Sequence, residues 1–247
     1  MLFSLKNIFK SRNREDNFCL CIRHLHIESG EYIAITGPSG CGKSTALDLL
    51  GMALKPDTAE KFVFSPEGLT QDIRVRWEEN DLDCMSALRR KYVGYVLQTG
   101  ELLPFFSVRE NILLTARLAG MSDNIAQEHV GLLMERLHIA ALAAAMPATL
   151  SVGERQRVAI CRALAAKPGV ILADEPTAAL DPILARNVMR LFIETVRDTK
   201  ASLIMVSHDI GLVKEFGFRE IPCVVHHREN SVETVLDEER ISGGIHA

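Results

Sequence analysis

The sequence lacks an uninterrupted apolar segment long enough to span a membrane. Its longest candidate, residues 139–152, is rich in alanine and is interrupted by Pro147, whereas a membrane-spanning helix needs about 20 consecutive apolar residues. Residues 1–14 carry their charges after their apolar residues, which is the reverse of a secretory signal peptide. We therefore expect a soluble chain that remains in the compartment where it is made.

The sequence also lacks a large excess of charge of one sign. Lys and Arg total 28 and Asp and Glu total 32, for a formal net charge of −4. This balance excludes a global positive field that gathers nucleic acid or anionic lipid, although it leaves a local basic patch open. Apolar residues make up 47% and charged residues 24% of the 247 residues, which is typical of one large α/β domain or two small ones rather than of a disordered chain.

The six cysteines contain no C-x-x-C pair, the spacing that is typical of zinc and redox sites. Cys19 and Cys21 alternate within the run FCLCIRHLHI, which predicts a strand with both thiols on one face. Free thiols in a reducing cytoplasm are therefore expected rather than zinc or disulfides. His24 and His26 share the alternation, and we interpret them as ordinary strand residues.

Short apolar runs alternate with amphipathic segments along the chain, the order that is typical of a parallel sheet covered by helices. Strands are predicted at residues 31–36, 93–98, 170–174 and 201–207, and two closing strands are predicted around a polar turn at 228–230. Helices are predicted at residues 107–120, 123–139 and from Pro182 to about 200, with capping residues before the first and the third. Residues 62–64 and 73–77 are interpreted as short strands.

The segment GPSGCGKST, residues 37–45, follows a predicted strand and matches the pattern G-x-x-x-x-G-K-S. Glycines let backbone N–H groups turn inward around a phosphate, and a helix that begins near Gly42 adds its positive end. Lys43 is then expected to reach the β- and γ-phosphates, and the Ser44 hydroxyl to coordinate Mg²⁺. We call this segment the phosphate loop, and its predicted nucleotide-binding residues are Gly37, Pro38, Ser39, Gly40, Cys41, Gly42, Lys43, Ser44 and Thr45.

Polar side chains follow the other predicted strands. Asp174 and Glu175 end the run VILADE, which predicts a metal ligand and a base that polarises the attacking water. Gln98 closes VGYVLQ, and His208 follows LIMVS. Because open α/β sheets bind ligands at the carboxyl ends of their strands, we expect Gln98 to hold Mg²⁺ and the water, and His208 to contact the γ-phosphate.

The run LSVGERQRVAICRAL, residues 150–164, resembles the signature segment of ABC-type ATPases, which usually reads LSGGQ. With the phosphate loop, Gln98, Asp174–Glu175, the turn at 178–181 and His208, it completes a set of family landmarks over roughly residues 1–210. The resemblance implies an α/β P-loop NTPase fold with a RecA-like mixed-sheet core (1–98 and 167–247). A helical subdomain (99–166) is inserted into this single ABC ATPase domain.

The resemblance further implies a head-to-tail homodimer in which each ATP is shared. ATP on the phosphate loop of one copy would be contacted by the signature segment of the other, with Ser151, Gly153, Glu154 and Asp181 as binding residues. Ser151 and Glu154 also match a capping box, so a helix is predicted to open at the segment with N–H groups that face an anion.

Two positions depart from the family pattern. Val152 stands where the first glycine of the signature is usual, and a β-branched residue disfavours a positive φ and crowds a close backbone approach. Arg12 stands where an aromatic side chain usually stacks on adenine. An arginine plane can stack on a base, and Phe9 or Phe18 are alternatives for that contact.

The segment TGELLPFFSVRENI, residues 99–112, looks like the entry to the helical subdomain in the lipoprotein-release and macrolide-export group. This resemblance implies an ATP-hydrolysing, Mg²⁺-dependent subunit on the cytoplasmic face of the inner membrane, working with integral membrane permease subunits and without nucleic acid. Leu102, Leu103, Phe105 and Phe106 form an apolar cluster that is either local core or a docking face. The alternative functions are a soluble ABC ATPase acting on nucleic acid or ribosomes, and a regulatory ATP-binding switch with weak turnover.

Overall fold

The computed structural model describes residues 1–11, 18–228 and 231–238. The chain divides into two compact units, one built from residues 1–86 together with the C-terminal residues from 206, and the other from residues 87–205. These units divide the chain at other positions than the predicted subdomain boundaries, 98/99 and 166/167, which stay a prediction. Within the described ranges, every helix is too short or too polar to cross a membrane.

The secondary structure alternates between strands and helices as expected. In chain order the elements are β1 (Phe3–Ser11), β2 (Phe18–Ile27), β3 (Tyr32–Thr36), α1 (Lys43–Leu50), β4 (Thr58–Phe64), β5 (Gln71–Asp72), α2 (Ile73–Glu78), α3 (Leu82–Tyr92), β6 (Val93–Val96), α4 (Val108–Leu118), α5 (Asp123–Arg136), α6 (Val152–Leu164), β7 (Val170–Asp174), α7 (Pro182–Thr199), β8 (Ser202–Ser207), α8 (Ile210–Glu215), β9 (Arg219–Arg228) and β10 (Ser231–Leu236). Single 3₁₀ turns lie at Pro66–Gly68, Ala140–Leu142 and Pro147–Thr149.

The sheet of the first unit runs in the order β5-β4-β1-β2-β10-β9-β3. The β1–β2, β1–β4 and β9–β10 pairs are antiparallel, whereas β10–β2 and β3–β9 are parallel. Apolar side chains on the strands are buried, and the rings of Phe3 and Phe64 stack with centroids 4.7 Å apart. The mixed sheet therefore fixes the end of β3, where the phosphate loop begins.

The second unit contains the parallel strands β6 and β7, with β8 beside β7. Strand β7 is almost entirely buried, as expected for a strand that is covered on both faces. The predicted helix starts are confirmed: Ser107 caps α4 in a capping box with Glu110, and Asp181 caps α7 with Pro182 as the first helical residue. Local capping chemistry thus sets where these helices begin.

One predicted strand is wrong. Residues 62–64 do belong to β4, but residues 73–77 form the helix α2 rather than a strand. The Asp72 side chain accepts a hydrogen bond from the Val75 N–H at 3.3 Å, and Arg74 pairs with Glu78 one turn later at 2.8 Å. These are the N-cap and the i,i+4 ion pair that favour a helix, and the β-propensity of the run IRVRW depends on context.

Candidate functional site

The phosphate loop connects β3 to α1 and contains backbone conformations that favour glycine. The φ angles of Gly37, Gly40 and Gly42 are 147°, 77° and 94°. Gly42 is the N-cap of α1, and it has no side chain with which to hydrogen-bond the first turn. The first N–H groups of α1 are therefore not used by a cap of their own, the arrangement that favours an anion at a helix N-terminus.

Packing holds the two ends of the loop in place. A Cβ atom added to Gly37 would lie 2.9 Å from the Cys223 Cβ, and one added to Gly42 would lie 2.7 Å from the Phe18 Cζ. At Gly40, by contrast, no described atom outside the adjoining residues comes within 4 Å of such a Cβ. The loop is thus anchored on β9 at one end and on β2 at the other, and it is open at its tip.

Lys43 is turned into the loop. Its side chain is only 5% exposed, and its Nζ donates hydrogen bonds to the carbonyl oxygens of Gly37 at 3.0 Å and Pro38 at 2.8 Å. Ser44, by contrast, is exposed at the start of α1. A buried ammonium group beside the backbone amides suits a polyanion, since both attract negative charge.

Cys41 lies among the same amides and is almost fully buried. A hydrogen bond with Cys223, together with the charge of Lys43, lowers the pKa of the Cys41 thiol to about 6 although burial opposes this shift. The same hydrogen bond and burial raise the pKa of Cys223. Sequence reasoning missed Cys223, because no local pattern relates β9 to the phosphate loop.

His208, like the phosphate loop, belongs to the first unit. It is exposed directly after β8, and the next residue, Asp209, caps α8 by accepting the Leu212 N–H at 3.0 Å. Arg12, the predicted adenine contact, lies outside the described residues. Of its two alternatives, Phe18 lies against Gly42, and Phe9 is on β1 with 37% of its surface exposed.

The second unit brings the predicted metal and water residues to one edge of its strands. Strand β7 ends at Asp174, and its parallel neighbour β6 ends at Val96, which lies opposite Ala173. Gln98, exposed two residues beyond β6, therefore follows the same edge as Asp174 and Glu175. Both strands thus place polar residues at their carboxyl ends, where open α/β sheets bind ligands; that these residues bind Mg²⁺ stays a prediction.

The backbone of Glu175 has a left-handed conformation, with φ of 44°. This conformation costs a residue with a Cβ about 1–2 kcal/mol, and such strain is concentrated at functional sites. The Glu175 carbonyl oxygen accepts the Ala178 N–H at 3.2 Å, which closes the turn. The backbone therefore turns directly after β7, at the residue that was predicted to polarise water.

The signature segment, residues 150–164, begins with a closed capping box. The Ser151 hydroxyl and N–H donate to the Glu154 carboxylate at 2.7 and 2.8 Å, and the Ser151 Oγ accepts the Glu154 N–H at 3.3 Å. Hydrogen bonds from the Ser151 hydroxyl, which has the larger effect, and from the Ser151 N–H hold the pKa of Glu154 below its usual value. The polar groups that were predicted to meet a nucleotide are therefore engaged within their own chain.

The two glycine positions of the signature segment differ in their surroundings. Val152 is the first residue of the right-handed helix α6 and is 52% exposed, so the expected obstacle of a positive φ does not arise. Gly153 is buried, and a Cβ added to it would lie 2.8 Å from the Leu184 Cδ2. Gly153 therefore lets α6 approach α7, a packing role that sequence reasoning missed.

Asp181 has a structural task of its own at the start of α7. Its Oδ1 accepts the N–H groups of Ile183 and Leu184, both at 3.1 Å. This is the N-cap arrangement that the Asp181–Pro182 pair predicts. Any contact between Asp181 and nucleotide would come from a side chain that is already hydrogen-bonded in this way.

The apolar cluster before α4 is only partly packed. The buried Asn111 accepts the Leu103 N–H at 2.8 Å and donates to the carbonyl oxygens of Leu103, Phe106 and Ser107, which fixes the loop. Phe105 is nevertheless 69% exposed. Beside the cluster is an open cavity of about 250 Å³ lined by Thr99, Glu101, Leu102, Pro104, Pro147, Ala148 and Arg155.

Comparison with known proteins gives a consistent result. The family described as "ABC transporter" matches residues 22–178. The chain is 38% identical to the lipoprotein-releasing system ATP-binding protein LolD of Paramagnetospirillum magneticum over 212 residues, which cover 85% of this chain and 89% of that protein. It is also 38% identical to the LolD of Roseobacter denitrificans over 216 residues, which cover 85% and 90%.

A solved structure is similar over the same extent. The dimeric ATP-binding cassette MJ0796, in a post-hydrolysis state bound to ADP and Pi, matches with a TM-score of 0.74 and 30% identity, covering 90% of this chain and 94% of that one. The cbiO1 component of the cbiONQ ABC transporter complex from Clostridium perfringens matches with a TM-score of 0.73 and 25% identity, covering 90% and 84%.

Proposed function

The chain belongs to the ABC transporter family, and from this premise we propose that it powers a membrane complex of the lipoprotein-release type. It is an ATP-binding subunit that hydrolyses ATP to drive transport. One observation carries the proposal. The same chain contains a phosphate loop that leads into a helix with glycine at its N-cap, and a signature segment whose helix is capped by a serine side chain. The relatives named for lipoprotein release support the choice of transporter type. A soluble ATPase acting on nucleic acid or ribosomes is not favoured.

ATP binding begins at the phosphate loop. Lys43 would exchange its bonds to the Gly37 and Pro38 carbonyl oxygens for bonds to the β- and γ-phosphates, while the amides of residues 38–45 surround the phosphate. This exchange replaces carbonyl acceptors with anionic ones, which form stronger hydrogen bonds with an ammonium group. ATP is therefore bound by groups that the loop already holds in place.

The residues proposed to hold Mg²⁺ are Ser44, Gln98 and Asp174. They offer a hydroxyl, an amide and a carboxylate oxygen, the donor types that Mg²⁺ prefers. All are exposed or half-buried, so each is accessible to an ion that keeps several waters. The bound ion would neutralise charge on the β- and γ-phosphates.

Glu175 is the proposed base for hydrolysis. Its carboxylate would take a proton from a water molecule as the water oxygen attacks the γ-phosphorus, and ADP would leave. Gln98 and His208 would orient that water and the γ-phosphate. The left-handed backbone at Glu175 supports this role, because strained backbone conformations are concentrated at functional sites.

The output is proposed to be a homodimer that closes on ATP. Ser151 and the Gly153 N–H of one copy would contact the γ-phosphate bound by the other, once the Ser151 hydroxyl is redirected from Glu154 to the phosphate. The dimeric state of the similar cassette supports this arrangement. Hydrolysis would remove the γ-phosphate and return Ser151 to its own capping box, which would allow the dimer to open.

The proposed partner is an integral membrane permease, with this chain peripheral on the cytoplasmic face of the inner membrane. The exposed Phe105 and the cavity beside it offer an apolar surface for a cytoplasmic segment of that permease. The polar contacts of Asn111 hold the loop that presents Phe105. Nucleic acid is not expected as a partner.

Two experiments test the proposal. Glu175→Gln should abolish ATP turnover, retain ATP binding and accumulate the dimer, because it removes the base while keeping the side-chain shape; Glu194→Gln, an exposed position on α7, is the matched control. An unchanged rate in Glu175→Gln would contradict the role of Glu175.

Tagged chain purified from detergent-solubilised membranes should bring with it a multi-span protein with a large periplasmic domain. Recovery of ribosomal or DNA-associated proteins alone, with Mg-ATP present, would overturn the transporter type.

A further inference from the structure

Two thiols from distant parts of the first unit meet beside the phosphate loop. Strand β9 pairs in parallel with β3, and Thr36 lies opposite Pro222. The next residue on each strand is therefore also a neighbour: Gly37, which starts the loop, and Cys223. The sheet register thus places Cys223 at the beginning of the loop that contains Cys41.

Both side chains converge on Gly37. A Cβ atom on Gly37 would lie 2.9 Å from the Cys223 Cβ and 3.1 Å from the Cys41 Sγ. The two thiols share a hydrogen bond. Cys41 and Cys223 are 4% and 5% exposed, so little of either side chain faces solvent.

The chemistry of the pair is asymmetric. The hydrogen bond from Cys223 and the charge of Lys43 favour the Cys41 thiolate, whereas the pKa of Cys223 is raised. A low-pKa thiolate beside a second thiol is part of the arrangement of a redox-sensitive cysteine with its resolving partner. Because both side chains are nearly buried, the oxidant must be a small molecule such as hydrogen peroxide. Cys161, in contrast, has its pKa raised by burial alone.

We propose that Cys41 and Cys223 form an oxidisable dithiol that closes the phosphate loop to ATP. The Cys41 thiolate attacks one oxygen of hydrogen peroxide, which gives Cys41 sulfenic acid and hydroxide. The Cys223 thiol then attacks the sulfenic sulphur, which forms the disulfide and releases water. Two thiols are oxidised by two electrons while one peroxide is reduced to two waters. The inference rests on the proposed function in that the phosphate loop binds ATP.

The disulfide would change the loop because a covalent sulphur–sulphur bond is far shorter than a thiol hydrogen bond. Its length is about 2.05 Å, so Cys41 would be drawn toward β9 and across Gly37. The amides next to Cys41 would then leave the arrangement that surrounds a phosphate. Bound nucleotide and the disulfide should therefore exclude each other.

The test measures the bond and the ATP affinity separately on the full chain. Purified protein is treated with hydrogen peroxide, digested without reductant and searched by mass spectrometry for a peptide that joins Cys41 to Cys223. ATP affinity is measured by calorimetry before oxidation, after oxidation and after dithiothreitol. We expect the joined peptide, at least a tenfold loss of affinity that dithiothreitol reverses, and slower joining when Mg-ATP is bound first.

Two variants give the controls. Cys223→Ser, with Cys223→Ala if the serine variant does not fold, should bind ATP normally when reduced and should lose the reversible response to peroxide. Cys84→Ser, at a half-buried cysteine of α3, should keep the response. Absence of the joined peptide, or a joined chain with unchanged ATP affinity, would overturn the proposal, as would an equal reversible response in the Cys223 variants. Failure of the reduced chain to bind ATP would instead refute the proposed function, because joining of the thiols is still read by mass.

Discussion

The phosphate loop and the signature segment both open a helix, but they treat its N-terminus in opposite ways. Helix α1 begins at Gly42, which has no side chain, and the nearby Lys43 adds a positive charge. Helix α6 begins at Ser151, whose hydroxyl and N–H are both bound to the Glu154 carboxylate. One N-terminus is built to receive an external anion, and the other already contains an anion of its own.

Because of this difference, the two helix N-termini suit different steps of the proposed ATPase cycle. The N-terminus of α1 has no side-chain cap to displace, and only the Lys43 Nζ must exchange its carbonyl partners, so the phosphate loop suits the first capture of ATP. A capped helix must exchange an internal bond for an external one, which costs part of the energy gained. The signature segment therefore suits a later contact that is easily reversed.

The largest expected effect is on ATP affinity in the phosphate loop. Lys43→Ala removes a donor that makes two hydrogen bonds through its charged Nζ. In the ATP complex we expect the Lys43 Nζ to bond the β- and γ-phosphates instead. Hydrogen bonds to charged groups contribute about 1.5–3 kcal/mol each, so the affinity of the single chain for ATP should fall by roughly a thousandfold in calorimetry. Lys55→Ala is the control, since the Lys55 Nζ also donates to a carbonyl, that of Trp77 at 3.1 Å, but from an exposed position. A loss of ATP affinity below about tenfold would mean that another residue makes the main contact with the phosphates.

The second effect separates backbone strain from packing within the phosphate loop. Gly37→Ala and Gly40→Ala both force a positive φ on alanine, but only the former brings its Cβ within 2.9 Å of another side chain. Gly40→Ala should lower the free energy of unfolding by about 1–2 kcal/mol, and Gly37→Ala by about 1–3 kcal/mol more. Urea denaturation of the two variants measures the difference. Equal losses would show that β9 does not anchor the loop.

The third effect is the change in stability when glycine is replaced by alanine in a helix. Its sign should differ between α5 and α6, the helix of the signature segment. Gly131→Ala in α5 should stabilise the chain by about 0.5–1 kcal/mol. Apart from the adjoining residues and the nearby helix backbone, no described atom lies within 4 Å of the new Cβ. Gly153→Ala meets Leu184 at 2.8 Å and should destabilise it by about 1 kcal/mol. In the double variant with Leu184→Ala, the cost of Gly153→Ala should disappear. If both glycine variants stabilise the chain, Gly153 is not needed for packing.

The smallest expected effect is a shift in the pKa of the Glu154 carboxyl. The Ser151 hydroxyl and N–H hold the pKa of Glu154 below its usual value of 4.5. This depressed pKa means that the cap stabilises the folded state above pH 4.5 and that the contribution is lost as the pH falls through the lower folded value. Carbon-13 NMR of the Glu154 carboxyl should show a midpoint below 4.5, and Ser151→Ala should raise it toward 4.5. An unshifted midpoint would mean that the cap is open in solution and that the two helix starts are alike.

Much of the site could be predicted because its chemistry is local. The spacing of Gly37, Gly42 and Lys43 and the capping pairs Ser107–Glu110 and Ser151–Glu154 are interactions within a few residues. Their geometry follows from backbone rules that hold in any protein. The resemblance to ABC-type ATPases added the family, which the comparisons confirm.

The sequence failed where several weak preferences competed. Residues 73–77 alternate in a way that favours a strand, yet the cap from Asp72 and the Arg74–Glu78 pair produce a helix. A positive φ does not arise at Val152 for a related reason, because the capping box at Ser151 begins a right-handed helix there. In each case a hydrogen bond from a neighbouring side chain decided the backbone conformation. The expected crowding of a close backbone approach by Val152 stays a prediction.

The sequence by itself therefore located the short segments that are proposed to act on ATP: the phosphate loop, the acids after β7 and the signature segment with its capping box. Only the tertiary structure decided which distant groups support them. It placed Cys223 against Gly37 through the register of β9 on β3, and Leu184 against Gly153 through the approach of α7 to α6. Local chemistry is written within a few residues, whereas these contacts depend on how whole strands and helices pack, and no short pattern specifies that.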